Sequence, residues 1–143
     1  LYTFWKRTSP PPSMLTFDAP SRENCTVRRS RTNTPLQSLA LMNDVQYVEA
    51  SRKLAERMML DGGSQPVDRL EWGFRLVTGR KPTDAEREIL RTTYESQLAR
   101  YAADTAAADQ LLTVGSTPRD TTLAPAELAA YTMIGNVLLN LDE

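Results

Sequence analysis

From Thr34 onward the chain carries paired start and stop signals for helices, and apolar residues recur between them at three- and four-residue spacing. This pattern constrains the fold more than any other feature, because a 3.6-residue period cannot bury its apolar side as a strand. Thr34-Pro35-Leu36-Gln37 combines a capping hydroxyl, a proline at the first helical position and a glutamine placed to close a capping box. It predicts a helix over residues 35–42, after which Asn43-Asp44 offers a break and a new cap. Tyr47, Ala50, Leu54 and Met58 define a second helix to about Leu60, ended by Gly62-Gly63. Ser64 is placed to cap a third, with Val67, Leu70, Phe74 and Val77 as its apolar face and Gly79 as its stop. Thr83-x-x-Glu86 is a second capping box, followed by Leu90, Tyr94, Leu98 and Tyr101, so the stretch from Trp72 to Leu98 reads as an αα-hairpin. Asp104 can cap a short alanine-rich helix through Leu112, ended by Gly115. Pro125 opens a last helix with Leu128, Tyr131, Ile134, Leu138 and Leu141 along one side. No segment alternates with period two. The expected fold is all-α: an irregular helical bundle of five to six helices.

Residues 1–33 lack a sustained helical period. Ser9-Pro10-Pro11-Pro12 fixes φ and removes donors, and Pro20 interrupts again. The aromatics Tyr2, Phe4, Trp5 and Phe17 read as packing anchors, or as rings that could stack on sugars. The expected organisation is an extended Pro/Arg-rich arm over residues 1–33 and a helical domain over 34–143. Beginning at Leu1 and ending directly after a helical pattern, the chain reads as a module of a larger protein.

The 143 residues contain no histidine, which excludes a Ser-His-Asp triad, a Cys-His dyad and haem attachment through C-x-x-C-H. With Cys25 the only cysteine, no internal disulfide forms and no metal site is expected. No apolar run approaches the roughly 20 residues of a membrane span, so no membrane insertion is expected. Net charge is −1 but unevenly spread: six basic against two acidic groups in residues 1–33, and eleven against sixteen in the remainder. A sequence pI of about 5.6 and the absence of a recognition motif argue against a nucleic-acid partner.

The strongest candidate site is Arg22, Arg28, Arg29 and Arg31, four guanidiniums just ahead of a capped helix start. Such forks bind carboxylates, sulfates and phosphates bidentately, and a helix N-terminus adds favourable dipole. The competing reading is salt-bridging to the acidic part of the chain or to an upstream domain. Asp18 and Glu23 could act as an acid/base pair, or simply pair with these arginines. Cys25 among the arginines is either an activated thiol or a small apolar residue. No catalytic residue is assigned. Trp72, Phe74 and the scattered methionines read as core.

Several stretches carry a family resemblance. They are Leu1-Tyr2-Thr3-Phe4-Trp5-Lys6-Arg7, Phe17-Asp18-Ala19-Pro20-Ser21-Arg22-Glu23, Cys25-Thr26-Val27-Arg28-Arg29, Arg31-Thr32-Asn33-Thr34-Pro35-Leu36-Gln37 and Leu41-Met42-Asn43-Asp44. Gly79-Arg80-Lys81-Pro82-Thr83 and Asn140-Leu141-Asp142-Glu143 follow later in the chain. Together they resemble the C-terminal part of a planctomycete-type domain of unknown function, numbered 1553. Val45 and Ala124 depart from the pattern at two helix starts. The resemblance implies a large multidomain parent, exported to the periplasm or cell envelope, with a c-type cytochrome module whose haem lies outside this chain. It transfers no catalytic residue and implies no cofactor here. The expected role is a non-catalytic structural or interaction module packed against upstream domains. The alternative is an arginine-lined anion or acidic-polysaccharide site contributed to an active site shared with an upstream domain.

Overall fold

The computed structural model describes residues 6, 8–20, 23–28 and 30–141. Among them are seven helices and no strand, as the all-α expectation requires. The chain divides into two compact units, Leu1–Ala40 and Leu41–Glu143. None of the described helices is long and apolar enough to cross a membrane.

In the first unit the arm is not extended throughout. α1 (Pro12–Thr16) is an added helical turn, and it explains why seven helices are found where five to six were expected. Pro12 sits in the first turn, where the missing N–H has no intrahelical acceptor to lose. The turn closes as a Schellman motif, with Ala19 N–H donating to Met14 O at 2.9 Å and Asp18 N–H to Leu15 O at 3.2 Å. That motif needs a left-handed residue, and Asp18 supplies it at φ 56. The anchors expected at Tyr2, Phe4 and Trp5 lie outside the described residues, while Phe17 is exposed. α2 (Pro35–Asn43) starts with the expected capping box: Gln37 N–H donates to Thr34 Oγ1 at 3.3 Å and Thr34 N–H to Gln37 Oε1 at 2.9 Å.

The second unit is built from α3 (Val45–Asp61), α4 (Pro66–Thr78), α5 (Asp84–Ala103), α6 (Thr105–Leu112) and α7 (Pro125–Leu139). Asp44 caps α3, Asp104 caps α6 and Thr83 with Glu86 forms the box at α5. Ser64 does not cap α4. With Pro66 at the first helical position the cap falls on Gln65, whose side chain makes no capping bond. α6 ends at Leu112, with Thr113 rather than Gly115 as its C-cap. α4 ends at Gly79, left-handed at φ 76.

α7 packs against α3, α4, α5 and α6 and is buried along most of its surface, with Val137 left exposed. Leu128, Ala129, Ala130, Tyr131, Thr132, Ile134, Gly135 and Leu138 are all buried. Leu141, expected on its apolar face, lies beyond the helix end and is exposed. Leu54, Ala55, Met58, Leu70, Phe74, Leu90, Tyr94 and Tyr101 complete the core. Ala50, Val67 and Val77, expected on apolar faces, are exposed. Tyr94 and Tyr131 meet with ring centroids 4.5 Å apart, and burial pushes the Tyr94 hydroxyl pKa up.

α7 comes close to α3 because position 135 lacks a side chain. A Cβ there would stand 2.7 Å from Ser51 O, a backbone atom that cannot swing away. Gly73 differs, since its nearest obstacle is the flexible Met58 side chain at 2.7 Å. Overpacking of a core costs about 1–3 kcal/mol, more than the roughly 1 kcal/mol of helix propensity that alanine adds. Gly135→Ala should therefore lower Tm by about 3–8 °C in a thermal melt. Gly73→Ala should cost less, because Met58 can repack.

The α5 cap also sets a pH dependence. Hydrogen bonds from Arg80, the Thr83 N–H and the Thr83 hydroxyl hold the Glu86 carboxyl down to about 2, below its ordinary value of 4.5. The folded group ionises more readily than the free one. Its contribution to stability is therefore present above the ordinary Glu range and is lost as pH falls from about 4.5 toward 2. Glu86→Gln should flatten this part of the stability profile, read from urea melts between about pH 5 and pH 2.5. An unchanged acid slope would show that the box contributes nothing through its charge.

Candidate functional site

Two features of the first unit define the candidate site: a loop that carries arginines, and a polar knot that closes it. The knot centres on the Asp18 carboxylate. Its Oδ2 accepts from Thr32 N–H at 2.8 Å, from Thr32 Oγ1 at 2.7 Å and from Gln37 Nε2 at 3.3 Å. Gln37 is buried, and the same amide nitrogen donates to Thr16 O at 2.8 Å and Thr32 Oγ1 at 3.0 Å. One glutamine thus ties together the end of α1, the far end of the loop and the first turn of α2. Asp18 and Thr32, fourteen residues apart, are held together and fix the two ends of the stretch between them.

Of the four arginines singled out from sequence, Arg28 and Arg31 are exposed on this loop, and Arg22 and Arg29 lie outside the described residues. No carboxylate among the described residues pairs with Arg28 or Arg31. Asp18 accepts from Thr32 and Gln37 and pairs with no arginine among the described residues, and the hydroxyl and N–H of Thr32 hold its carboxyl below the usual Asp range. Its Oδ2 is therefore engaged within the knot, and acid/base work with Glu23 has no support in this geometry. Cys25 is exposed. The two donors of the α2 box, Thr34 N–H and Gln37 N–H, are satisfied by its own side chains.

A second polar cluster, not anticipated from sequence, lies in the second unit. Arg52 is only 1% exposed. Its Nη1 donates to Glu56 Oε1 at 3.0 Å and its Nη2 to Thr117 O at 2.6 Å. Lys53 Nζ donates to Glu56 Oε2 at 2.7 Å and to Pro118 O at 3.0 Å. Glu49 accepts from the backbone N–H groups of Ser116 and Thr117, and the Thr117 hydroxyl together with these two N–H groups holds its carboxyl low. The cluster clamps the loop after α6 onto α3. Glu49, Arg52, Lys53 and Glu56 follow helical spacing, and from sequence such a run reads as a solvated face. Only the loop brought over it makes it a buried contact. Among the described residues no group of three or more Cys, Asp or Glu is placed to hold a metal ion.

Residues 1–94 match the family described as PSD1, a protein of unknown function (DUF1553). The chain belongs to the DUF1553 family. It matches no curated protein and no solved structure. The DUF1553 match takes in the arginine loop, its closing knot, α1 to α4 and α5 as far as Tyr94. α6 and α7, including the helix at the centre of the core, follow the matched region.

The knot makes a direct test possible. Asp18→Ala removes the acceptor that closes the loop, so the Thr32 amide should exchange with solvent at least about tenfold faster. Asp18→Asn keeps a residue that tolerates the left-handed backbone and retains a weaker, neutral acceptor, so its effect should be intermediate. In the wild type the folded carboxyl titrates low. Protection at Thr32 should hold above the ordinary Asp range and fall as pH drops through it.

Proposed function

We propose that this chain is a non-catalytic interaction module that docks onto an anionic surface of an upstream domain of its parent through the loop of residues 19–31. The supporting observation is a loop pinned at its base by Asp18, Thr32 and Gln37 that leaves Arg28 and Arg31 exposed, without a carboxylate partner among the described residues. Holding a loop in place before binding lowers the ordering cost of association. Guanidiniums left in water lose little when they meet carboxylates and add specificity through their fork geometry. The first 33 residues carry six basic and two acidic groups, which suits an acidic counterpart. In this reading the parent is a larger, exported, cytochrome-linked protein of the cell envelope, and haem belongs to another of its domains. The support for that part is the likeness of the motifs in residues 1–44.

The second reading places the same arginines in an anion or acidic-polysaccharide site shared with an upstream catalytic domain. The exposure of Arg28 and Arg31 is compatible with both. Calorimetric titration of the chain with the upstream part of its parent, wild type against Arg28→Glu/Arg31→Glu, separates them. Docking predicts at least about tenfold weaker binding in the variant and a steep loss of wild-type affinity with salt. Unchanged affinity on charge reversal would overturn the docking reading. A thermal shift with sulfate, phosphate or carboxylated oligosaccharides, seen in wild type and absent from Arg28→Ala/Arg31→Ala, would support the ligand site instead.

A further inference from the structure

At the C-terminal end of α4, Trp72, Arg75, Leu76 and Gly79 line a groove of about 290 Å³. That is near the lower end of the range for small-ligand sites and suits one six-membered ring with a substituent. The spacing of Trp72, Arg75 and Leu76 places their side chains on one face of the helix. Leu76 is exposed and Trp72 is half-buried, with the Arg57 guanidinium 5.4 Å from its ring centroid. Gly79 leaves the end of the groove open: no atom lies within 4 Å of where its Cβ would stand.

Arg75 carries the argument. The neighbouring guanidiniums of this unit are engaged: Arg69 with Glu127 at 2.7 Å, Arg80 with Glu86 at 2.7 Å and Arg57 facing Asp61 at 3.8 Å. Glu71, one turn before Arg75 and its natural helical partner, is taken by Arg87 at 2.6 Å. Among the described residues no carboxylate or carbonyl pairs with the Arg75 guanidinium. An exposed cation without a partner among the described residues therefore lines the same small groove as an indole and an exposed leucine. A carboxylate complements the guanidinium fork, and a ring complements the flat apolar surface beside it. We propose that this groove binds a ring compound bearing a carboxylate, with the carboxylate on Arg75 and the ring against Trp72 and Leu76. The site lies wholly in the second unit and does not rest on the reading of the arginine loop. The simpler role for Arg75, favourable interaction with the negative end of the α4 dipole, needs no ligand.

The test is an NMR titration of the 15N-labelled chain, following the Trp72 indole N–H and the Gly79 amide. The probes are benzoate and galacturonate, with acetate, benzamide and galactose as controls lacking the ring or the charge. Saturable shifts are expected with at least one ring carboxylate, and at least about tenfold weaker binding of all three controls. Whichever of benzoate and galacturonate binds more tightly identifies the ring as aromatic or sugar. Arg75→Ala and the surface change Leu76→Glu should each weaken binding at least about tenfold. Leu76→Glu covers the case in which loss of Arg75 frays the helix end. The proposal is overturned if neither ring carboxylate gives a saturable shift or if the neutral rings bind equally well. It is also overturned if Arg75→Ala lowers stability while leaving affinity intact.

Discussion

The packing of the second unit depends on the close approach of α7 to α3 at Gly135, where the absence of a side chain admits Ser51 backbone to within 2.7 Å of the would-be Cβ. Around that contact the small residues Ala129, Ala130 and Thr132 let neighbouring helices pack closely on α7. Larger aromatic and aliphatic side chains, Tyr131, Ile134 and Leu138 from α7 with Phe74, Leu90 and Tyr94 from its neighbours, then fill the remaining space. A helix buried over most of its surface has little polar side to show, so its position is set by fit rather than by amphipathicity.

Polar contacts in both units perform a related task, which is to hold irregular backbone. In the first, buried Gln37 and the Asp18 carboxylate tie the ends of the arginine loop to α1 and α2. In the second, Arg52 and Glu56 hold the loop after α6 against α3. A guanidinium that is 1% exposed is tolerated because Glu56 and the Thr117 carbonyl accept from it. Removing one partner of such a buried pair typically costs about 3–5 kcal/mol, since the other is left charged and alone. The two clusters differ in what they leave outside. The first leaves Arg28 and Arg31 exposed, and the second pairs Arg52 and Lys53 with Glu56 while Arg52 Nε keeps no partner among the described residues.

Helix type and most helix starts were legible along the chain, because caps act over three or four residues. Thr34 with Gln37, Asp44, Thr83 with Glu86 and Asp104 all make the bonds their spacing implies. The candidate site was legible only as composition. Arg28 and Arg31 could be noticed as cations, but the contact of Thr32 with Asp18, fourteen residues away, has no local signature. The same holds for Arg75, an ordinary last-turn arginine until the engagement of Glu71 by Arg87 leaves it without a carboxylate partner among the described residues.

What the sequence determined by itself was the all-α class, the caps that bound most of the helices, and the exclusion of histidine chemistry, all of which follow from residue type and short-range spacing. Tertiary structure alone decided that α7 is central, that Ala50, Val67 and Val77 face water, and that α1 forms within the arm. It also decided which of the described arginines pair with a described carboxylate. The physical reason is range. A cap or a turn is a bond between near neighbours. Burial over most of a helix and the partner of a long charged side chain depend on segments tens of residues away, and no periodicity records where those segments come to rest.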